Sequence, residues 1–154
     1  MLPIRRILFP TDFSAHAEHA WLYAVMFAQE FRAEVHLLHV VAPPPHFTEA
    51  YAVNFDPEKM IEALTADATA SLDKQAEEAK SRGLISHREV VVGMDFREII
   101  DYAARHEIDL IVMATHGRTG LAHVLLGSVA EKVVRKSPCP VLTVKPPSMK
   151  VAIR

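Results

Sequence analysis

The chain has 154 residues, half of them hydrophobic and 23% charged, which suits one folded domain and excludes a disordered segment. With 17 Lys and Arg against 19 Asp and Glu, its formal net charge is −2, which argues against sequence-independent binding to nucleic acid. No apolar run approaches the roughly 20 residues of a membrane-spanning helix, and the single cysteine, Cys139, excludes an internal disulfide. We expect a cytoplasmic domain over residues 1–146 and a short tail over 147–154.

Short apolar runs alternate with helical patterns in the first half of the chain. Residues 7–9 predict the end of a first strand, and residues 17–28 follow the i, i+3, i+4 spacing of an amphipathic helix. Residues 35–41 form an apolar run that suits a strand buried on both faces. A proline-rich connection over residues 42–56 then leads to Pro57, which suits the first turn of a long helix that Gly83 ends in a left-handed conformation.

The second half repeats this alternation with shorter spacers. Residues 89–92 and 108–114 predict two strands, and Asp95 lies at the N-cap position of the helix between them. The apolar face of that helix is expected at Phe96, Ile99, Ile100, Ala103 and Ala104. A polar loop over 115–120 and a partly helical stretch over 121–126 lead to a helix from Ser128 to about Lys136. A fifth strand over 140–145 begins with a proline.

Strands and helices of these lengths are typical of βαβ units with right-handed crossovers. The sequence therefore predicts an α/β domain built on a doubly wound, five-stranded, mostly parallel sheet with helices on both faces. Ligands of such sheets bind outside the carboxyl ends of the strands, where neighbouring strands send their connections to opposite faces.

The loop after the fourth strand has the features of an anion site. Gly117 and Gly127 are separated by nine residues, and Ser128 opens a helix, whose first N–H groups have no intrahelical partners. Glycine lets the main chain approach a phosphate closely, and Arg118 adds a positive charge. The same spacing also fits a glycine-bearing turn capped by Ser128, and the P-loop and dinucleotide-binding patterns are absent.

The nine histidines do not form a metal-binding pattern in the sequence. His16 and His19 share a helical face but lack the HExxH spacing, and His36 and His39, three apart on a strand, point to opposite faces of the sheet. Cys139 lies between two prolines without an adjacent base, and no serine lies in a nucleophile elbow. We predict no metal site formed by the protein alone, no catalytic residues and no enzymatic activity.

Five motifs in register resemble the universal stress protein family and span nearly the whole chain. They are PTDFS at 10–14, HV at 39–40, THGRTG at 115–120, LLGSVAE at 125–131 and SPCPVL at 137–142. The resemblance implies a Rossmann-like fold of the adenine nucleotide alpha hydrolase type, with strand order 3-2-1-4-5. The family's nucleotide-binding branch carries G-x2-G-x9-G-[ST]. This chain matches the pattern at Gly117, Gly127 and Ser128, and has Ala114 in place of the first glycine.

The resemblance implies an adenine nucleotide ligand, ATP or AMP, with Mg²⁺ as an optional companion of ATP. Asp12 and its neighbours would line the adenosine end, and Val40 would offer main-chain polar groups to the adenine edge; the alternatives are a helix cap for Asp12 and a core position for Val40. His116 would either face the phosphates or be a solvated loop residue. The full predicted set is Pro10, Thr11, Asp12, Val40, Met113, Ala114, His116, Gly117, Arg118, Gly127, Ser128, Val129 and Ala130.

The fifth strand presents unpaired N–H and C=O groups if it lies at the edge of the sheet. The resemblance implies a homodimer in which this strand pairs with its copy through Pro140, Val141, Leu142, Thr143 and Val144. The alternative is an edge covered by the tail at 151–153. We therefore expect a dimeric, nucleotide-binding stress sensor. The competing hypotheses are a nucleotide-free dimeric interaction module, which Ala114 favours, and a slow Mg²⁺-dependent ATP hydrolase.

Overall fold

The computed structural model describes residues 3–44, 55–118 and 123–147, in which strands and helices alternate. The elements are β1 (Arg6–Pro10), α1 (Ala15–Phe31), β2 (Glu34–Val41), α2 (Pro57–Ser81), β3 (Ser86–Val92), α3 (Asp95–Arg105), β4 (Leu110–Ala114), α4 (Ser128–Lys136) and β5 (Val141–Val144). Most of the predicted 42–56 connection, residues 119–122 and the tail beyond 147 lie outside the described residues. None of the described helices is long and apolar enough to cross a membrane.

The five strands form one parallel sheet in the order β3-β2-β1-β4-β5, which confirms the predicted fold class and strand order. The central strand β1 sends alternate side chains into two apolar layers. Ile7 and Phe9 pack with α1 and α2 on one face, whereas Leu8 packs with α3 and α4 on the other. Because β1 and β4 are neighbours whose following helices lie on opposite faces, a crevice opens between their carboxyl ends.

Local capping explains where the first two helices begin and end. Ser14 is the N-cap of α1, and its hydroxyl accepts the Ala17 N–H. Asp56 caps α2 in the same way, with Pro57 at the first helical position as predicted. Gly83 follows α2 with φ +76°, which confirms the expected left-handed stop.

Two expectations for α3 are wrong. Met94 rather than Asp95 is the N-cap, and Asp95 is the first helical residue, with no side-chain cap bond at this end. The buried face contains Tyr102 rather than Ala104, which is exposed. The difference arises because Tyr102 lies three residues after Ile99 and turns its ring toward β2, a position that the aliphatic pattern alone did not include.

The strand β3 begins at Ser86, three residues before the predicted start. Its first residues, Ser86, His87 and Arg88, are polar, so they carry no apolar signal in the sequence. They are nevertheless paired with β2 in parallel register, which extends the strand. Because β3 lies at one edge of the sheet, its polar side chains remain accessible.

Candidate functional site

A cavity of about 880 Å³ lies at the carboxyl ends of β1, β2 and β4. The structure brings every residue of the predicted nucleotide site to its wall. These residues come from the loop after β1, the end of β2, the end of β4, the loop that follows it, and the first turn of α4: Pro10, Thr11, Asp12, Val40, Met113, Ala114, His116, Gly117, Arg118, Gly127, Ser128, Val129 and Ala130.

Asp12 joins the two loops that flank the crevice. Its Oδ1 accepts the Ser14 N–H at 3.0 Å, and its Oδ2 accepts the Arg118 N–H at 2.9 Å. The Arg118 Nε in turn donates to the Asp12 carbonyl oxygen at 3.0 Å. The helix cap is Ser14, so the alternative in which Asp12 caps α1 is wrong. Asp12 instead positions the loop after β4 against the loop after β1.

Gly117 and Gly127 are both required by close approaches around this loop. A Cβ on Gly117 would lie 2.8 Å from Asp12 Oδ2, and a Cβ on Gly127 would lie 2.9 Å from the Thr115 carbonyl oxygen. That oxygen accepts the Gly127 N–H at 2.7 Å, which fixes the start of α4 against the end of β4. The glycines therefore serve the packing of the loop on itself as well as any approach of a ligand.

The first turn of α4 opens onto the cavity with uncapped N–H groups. Gly127 is the N-cap and provides no side-chain acceptor, so the N–H groups of Ser128, Val129 and Ala130 have neither an intrahelical acceptor nor a side-chain cap. Glu131 is the first residue whose N–H bonds within the helix, to the Gly127 carbonyl. Three donors at the positive end of a helix make this wall suited to an anion.

Ala114, which replaces the first glycine of the motif, adopts an ordinary extended backbone. It ends β4 opposite Val144, and the Thr115 N–H continues the ladder to the Val144 carbonyl at 3.0 Å. Non-glycine residues with positive φ in the described part of the chain are Phe13, Arg32 and Glu107. The methyl group of Ala114 therefore imposes no backbone strain at this position.

At the other side of the cavity, β2 continues past the end of β1, and Val40 lies in this last part of the strand. The last residue of β1 pairs with Leu38, whose carbonyl accepts the Thr11 N–H at 2.9 Å, and the Val41 carbonyl accepts from Gly93 on the β3 side. Since main-chain groups alternate in direction along a strand, the N–H and C=O of Val40 point to the β1 side beyond its end. One donor and one acceptor are thereby exposed to the cavity.

His116 does not behave as a solvated loop residue. It is 5% exposed, its Nδ1 pairs with the Thr115 hydroxyl at 2.8 Å, and its Nε2 bonds to the Val124 carbonyl. The solvated alternative is therefore wrong. The ring lines the cavity, but both nitrogens already have protein partners, so its evident contribution is to hold the loop.

Several polar residues of the cavity were not among the predicted site residues, including Asp67 from α2 and Asp95 at the start of α3. Burial, together with the nearby Asp12 carboxylate, raises the pKa of Asp95, although His39 opposes this shift. His39 also donates its Nδ1–H to the Thr11 carbonyl oxygen, at 2.7 Å, and its ring stacks on Phe13. The rule that functional residues follow the carboxyl ends of strands could have found Asp95, which comes just after β3.

The predicted dimer residues Pro140, Val141, Leu142, Thr143 and Val144 lie at the other edge of the sheet. β5 pairs with β4 on one side, and no described strand lies along its other side. The Pro140 and Val144 carbonyls accept hydrogen bonds from the β4 side, so the N–H groups of Val141 and Thr143 point outward. The edge position of β5 is thus confirmed.

Known proteins resemble this chain in sequence over most of its length. The model of the universal stress protein family matches residues 3–145. A universal stress protein of Methanocaldococcus jannaschii is 38% identical over 143 residues, which cover 93% of this chain and 83% of that protein.

Solved structures give the same result. A second universal stress protein of that organism is 34% identical, with a TM-score of 0.85 over 96% of this chain and 99% of the other. A universal stress protein solved in complex with cAMP is 24% identical, with a TM-score of 0.65 over 91% and 95% of the two chains. The matched motifs, the strand order and the family model together show that this chain belongs to the universal stress protein family.

Proposed function

We propose that this protein binds an adenine nucleotide, ATP or AMP, in the 880 Å³ cavity and acts as a dimeric stress-response sensor. The observation that carries the proposal is the pairing of two recognition elements across one cavity. The first turn of α4 offers three uncapped N–H groups, and Val40 offers a donor and an acceptor at the opposite wall. A phosphate suits the first element, and the edge of a purine base suits the second.

The charges around the cavity give the nucleotide a direction. Arg118 lies at the α4 side, where its guanidinium Nη groups remain for phosphate oxygens after Nε has bonded to Asp12. Asp67 and Asp95 lie elsewhere on the wall and would repel a polyphosphate, but they can accept hydrogen bonds from ribose hydroxyls or an adenine amino group. We therefore place the phosphates against α4 and the adenosine between Val40 and the acidic residues.

The cAMP complex of a related protein supports this proposal, because it shows that a chain of the same fold accommodates an adenine nucleotide. Mg²⁺ could accompany ATP at Asp12, since each carboxylate oxygen accepts one N–H in the structure and retains a further lone pair. In this arrangement both Asp12 oxygens hold main-chain N–H groups, and their remaining lone pairs go to Mg²⁺ rather than to an attacking water. We accordingly propose binding without turnover.

The test separates the main-chain donors of α4 from the side chain of Ser128. Ser128→Ala removes the hydroxyl, whereas Ser128→Pro removes both the hydroxyl and the main-chain N–H. Proline should be tolerated here, because it suits the first helical position and because Gly127 has the extended backbone that a following proline requires (φ −65°, ψ 161°). Loss of a hydrogen bond to a charged group predicts an AMP affinity about ten- to a hundredfold lower for Ser128→Pro than for Ser128→Ala.

Isothermal titration with AMP, and with ATP in the presence and absence of Mg²⁺, measures this difference, and circular dichroism confirms that both variants are folded. Equal affinities of the two variants would refute the placement of the phosphates. Phosphate release that is proportional to protein and lost in Asp12→Ala would refute binding without turnover and favour the slow hydrolase.

One observation favours a nucleotide-free interaction module instead. The Arg118 N–H, which belongs to the glycine-bearing loop, already bonds to Asp12 Oδ2, so one amide of the proposed phosphate cradle is satisfied by the protein. If millimolar AMP and ATP produce no heat and no rise in melting temperature, this second candidate is the better description.

The dimer is tested at β5. Thr143→Pro removes an N–H that points away from β4, so the hydrogen bonds between β4 and β5 are retained while pairing between two β5 strands loses a donor. Thr143→Val keeps that N–H and serves as the control. We expect a dimer for the Val variant and a shift toward monomer for the Pro variant in light scattering. A dimer that is unaffected by Thr143→Pro would place the interface elsewhere.

A further inference from the structure

A second cavity, of about 400 Å³, lies at the other end of the sheet, beside the first residues of β2 and β3. Its wall includes Glu34 and His36 from β2 and His87 from β3. Because side chains alternate along a strand, Glu34 and His36 face the same side of the sheet. His87 is the register partner of His36, and their ring centroids are 4.7 Å apart. Three side chains with metal-ligating atoms therefore converge.

The distances among these side chains fit a single ion after a small closure. One nitrogen or carboxylate oxygen from each of the three residues lies within 4.8 Å of the others. His87 Nε2 and Glu34 Oε2 are already 3.3 Å apart. Bonds of about 2.0–2.2 Å in tetrahedral geometry separate the ligand atoms by roughly 3.3–3.6 Å, so side-chain movements of about 1 Å are sufficient.

His36 supplies an independent indication that this cavity takes a ligand. The residue is 5% exposed, and its Nδ1 is bonded to the Tyr102 hydroxyl at 2.9 Å. Its Nε2 is buried without a hydrogen-bond partner, an arrangement that costs free energy and that native proteins seldom tolerate. A metal ion on Nε2 would satisfy this atom, and Tyr102 would then hold the other ring nitrogen, as outer partners of ligating histidines do.

The protonation state of His36 is compatible with ligation. Burial, together with the neighbouring His87 and His106, lowers the pKa of His36 to about 4. At neutral pH the ring is therefore uncharged and retains a lone pair for a metal ion.

Three arginines also line the cavity, but each is engaged by the protein. Arg6 Nη1 bonds to Glu107 Oε2 at 3.0 Å, and Arg88 pairs with Asp73. The Arg105 guanidinium lies over the ring of Tyr102, 5.8 Å from its centroid. The carboxylates of Glu34 on β2 and Glu89 on β3 further offset the positive charge at the cavity wall.

We propose that Glu34, His36 and His87 form a binding site for a divalent transition-metal ion, with Zn²⁺ as the expected occupant. Two imidazole nitrogens and one carboxylate suit Zn²⁺, Co²⁺ or Ni²⁺, whereas Mg²⁺ and Ca²⁺ select oxygen ligands. The three residues are separate from the walls of the nucleotide cavity. The proposal therefore stands or falls independently of nucleotide binding.

The experiment titrates chelator-treated, full-length protein with Co²⁺ and Zn²⁺. We expect one Co²⁺ per chain, visible d–d absorption of a low-symmetry nitrogen and oxygen site, and displacement of Co²⁺ by Zn²⁺. His87→Ala and Glu34→Gln alter accessible side chains and should each weaken Zn²⁺ binding at least about tenfold while leaving the circular dichroism spectrum unchanged. His19→Ala removes an imidazole from the unrelated His16–His19 helix pair and is the matched control.

Each alternative outcome has a distinct signature. Failure of Co²⁺ to bind stoichiometrically, or retention of full affinity in both His87→Ala and Glu34→Gln, would overturn the proposal. Loss of affinity in His19→Ala instead would assign the metal to the α1 histidines. A stabilisation by inorganic phosphate that depends on His87, with none by Zn²⁺, would identify the cavity as an anion site. His36 is buried, so His36→Gln is used as a third variant only if it still unfolds cooperatively.

Discussion

Substitution of Gly127 by alanine tests whether the start of α4 is fixed by a close main-chain contact. The added Cβ would lie 2.9 Å from the Thr115 carbonyl oxygen, whereas ordinary contact begins at 3.4 Å. The neighbouring atom belongs to the main chain and also accepts the Gly127 N–H at 2.7 Å, so relief of the overlap must lengthen that hydrogen bond. Overpacking of this kind costs about 1–3 kcal/mol.

We therefore expect Gly127→Ala to lower the free energy of unfolding by about 1–3 kcal/mol in urea denaturation, and Tm by roughly 2–12 °C. Gly93→Ala is the matched control, because the atoms that its Cβ would meet belong to the side chain of Glu98, which can turn toward solvent. The control should change stability by less than about 0.5 kcal/mol. Equal stabilities of the two variants would refute the claim that the Thr115 contact is rigid.

Three further predictions concern other parts of the molecule. Burial raises the pKa of the Cys139 thiol, so alkylation at about pH 8 should be slower in the folded protein than in urea; equal rates would contradict this. Asp95 has a raised pKa in the folded protein, so as the pH rises above 3.8 its carboxyl group loses its proton in the unfolded chain before it does so in the folded one. The free energy of unfolding should therefore fall between the two pKa values. Asp95→Asn should remove this fall, as measured by urea denaturation at successive pH values. Trp21 Nε1 donates to Glu78 Oε2 at 3.1 Å, so Trp21→Phe should cost about 1 kcal/mol or more by circular dichroism melting, and an unchanged melt would show that this bond contributes nothing.

Periodicity and turn chemistry were sufficient to predict the order and type of the main elements. The alternation of short apolar runs with helical patterns predicted the parallel sheet, and Pro57 and Gly83 marked the start and end of α2. The resemblance to a known family then assembled residues from four separate segments into one predicted site. The structure places all of them around one cavity, because the carboxyl ends of adjacent parallel strands meet at one edge of the sheet.

What sequence reasoning missed depends on register and on side chains that interact across strands. His36 and His87 are 51 positions apart, and only the pairing of β2 with β3 places them opposite each other. Local spacing along the chain brings together only His16 with His19 and His36 with His39. Tyr102 was not predicted for a related reason. Apolar spacing along α3 does not indicate that its hydroxyl bonds to His36, which lies on β2.

The edge strand β5 is only four residues long and lies between Pro140 and Pro146. The Pro140 carbonyl faces β4, and because the N–H and C=O of one residue lie on the same side of a strand, the missing N–H of this proline does not affect the outer edge. The length of β5 sets the limit instead, because an added strand meets outward N–H groups at Val141 and Thr143, and two copies that meet there antiparallel would occupy the outer edges of both β5 strands at once. Pairing at this edge thus ends after a single event, and a third copy would meet no free β5 edge.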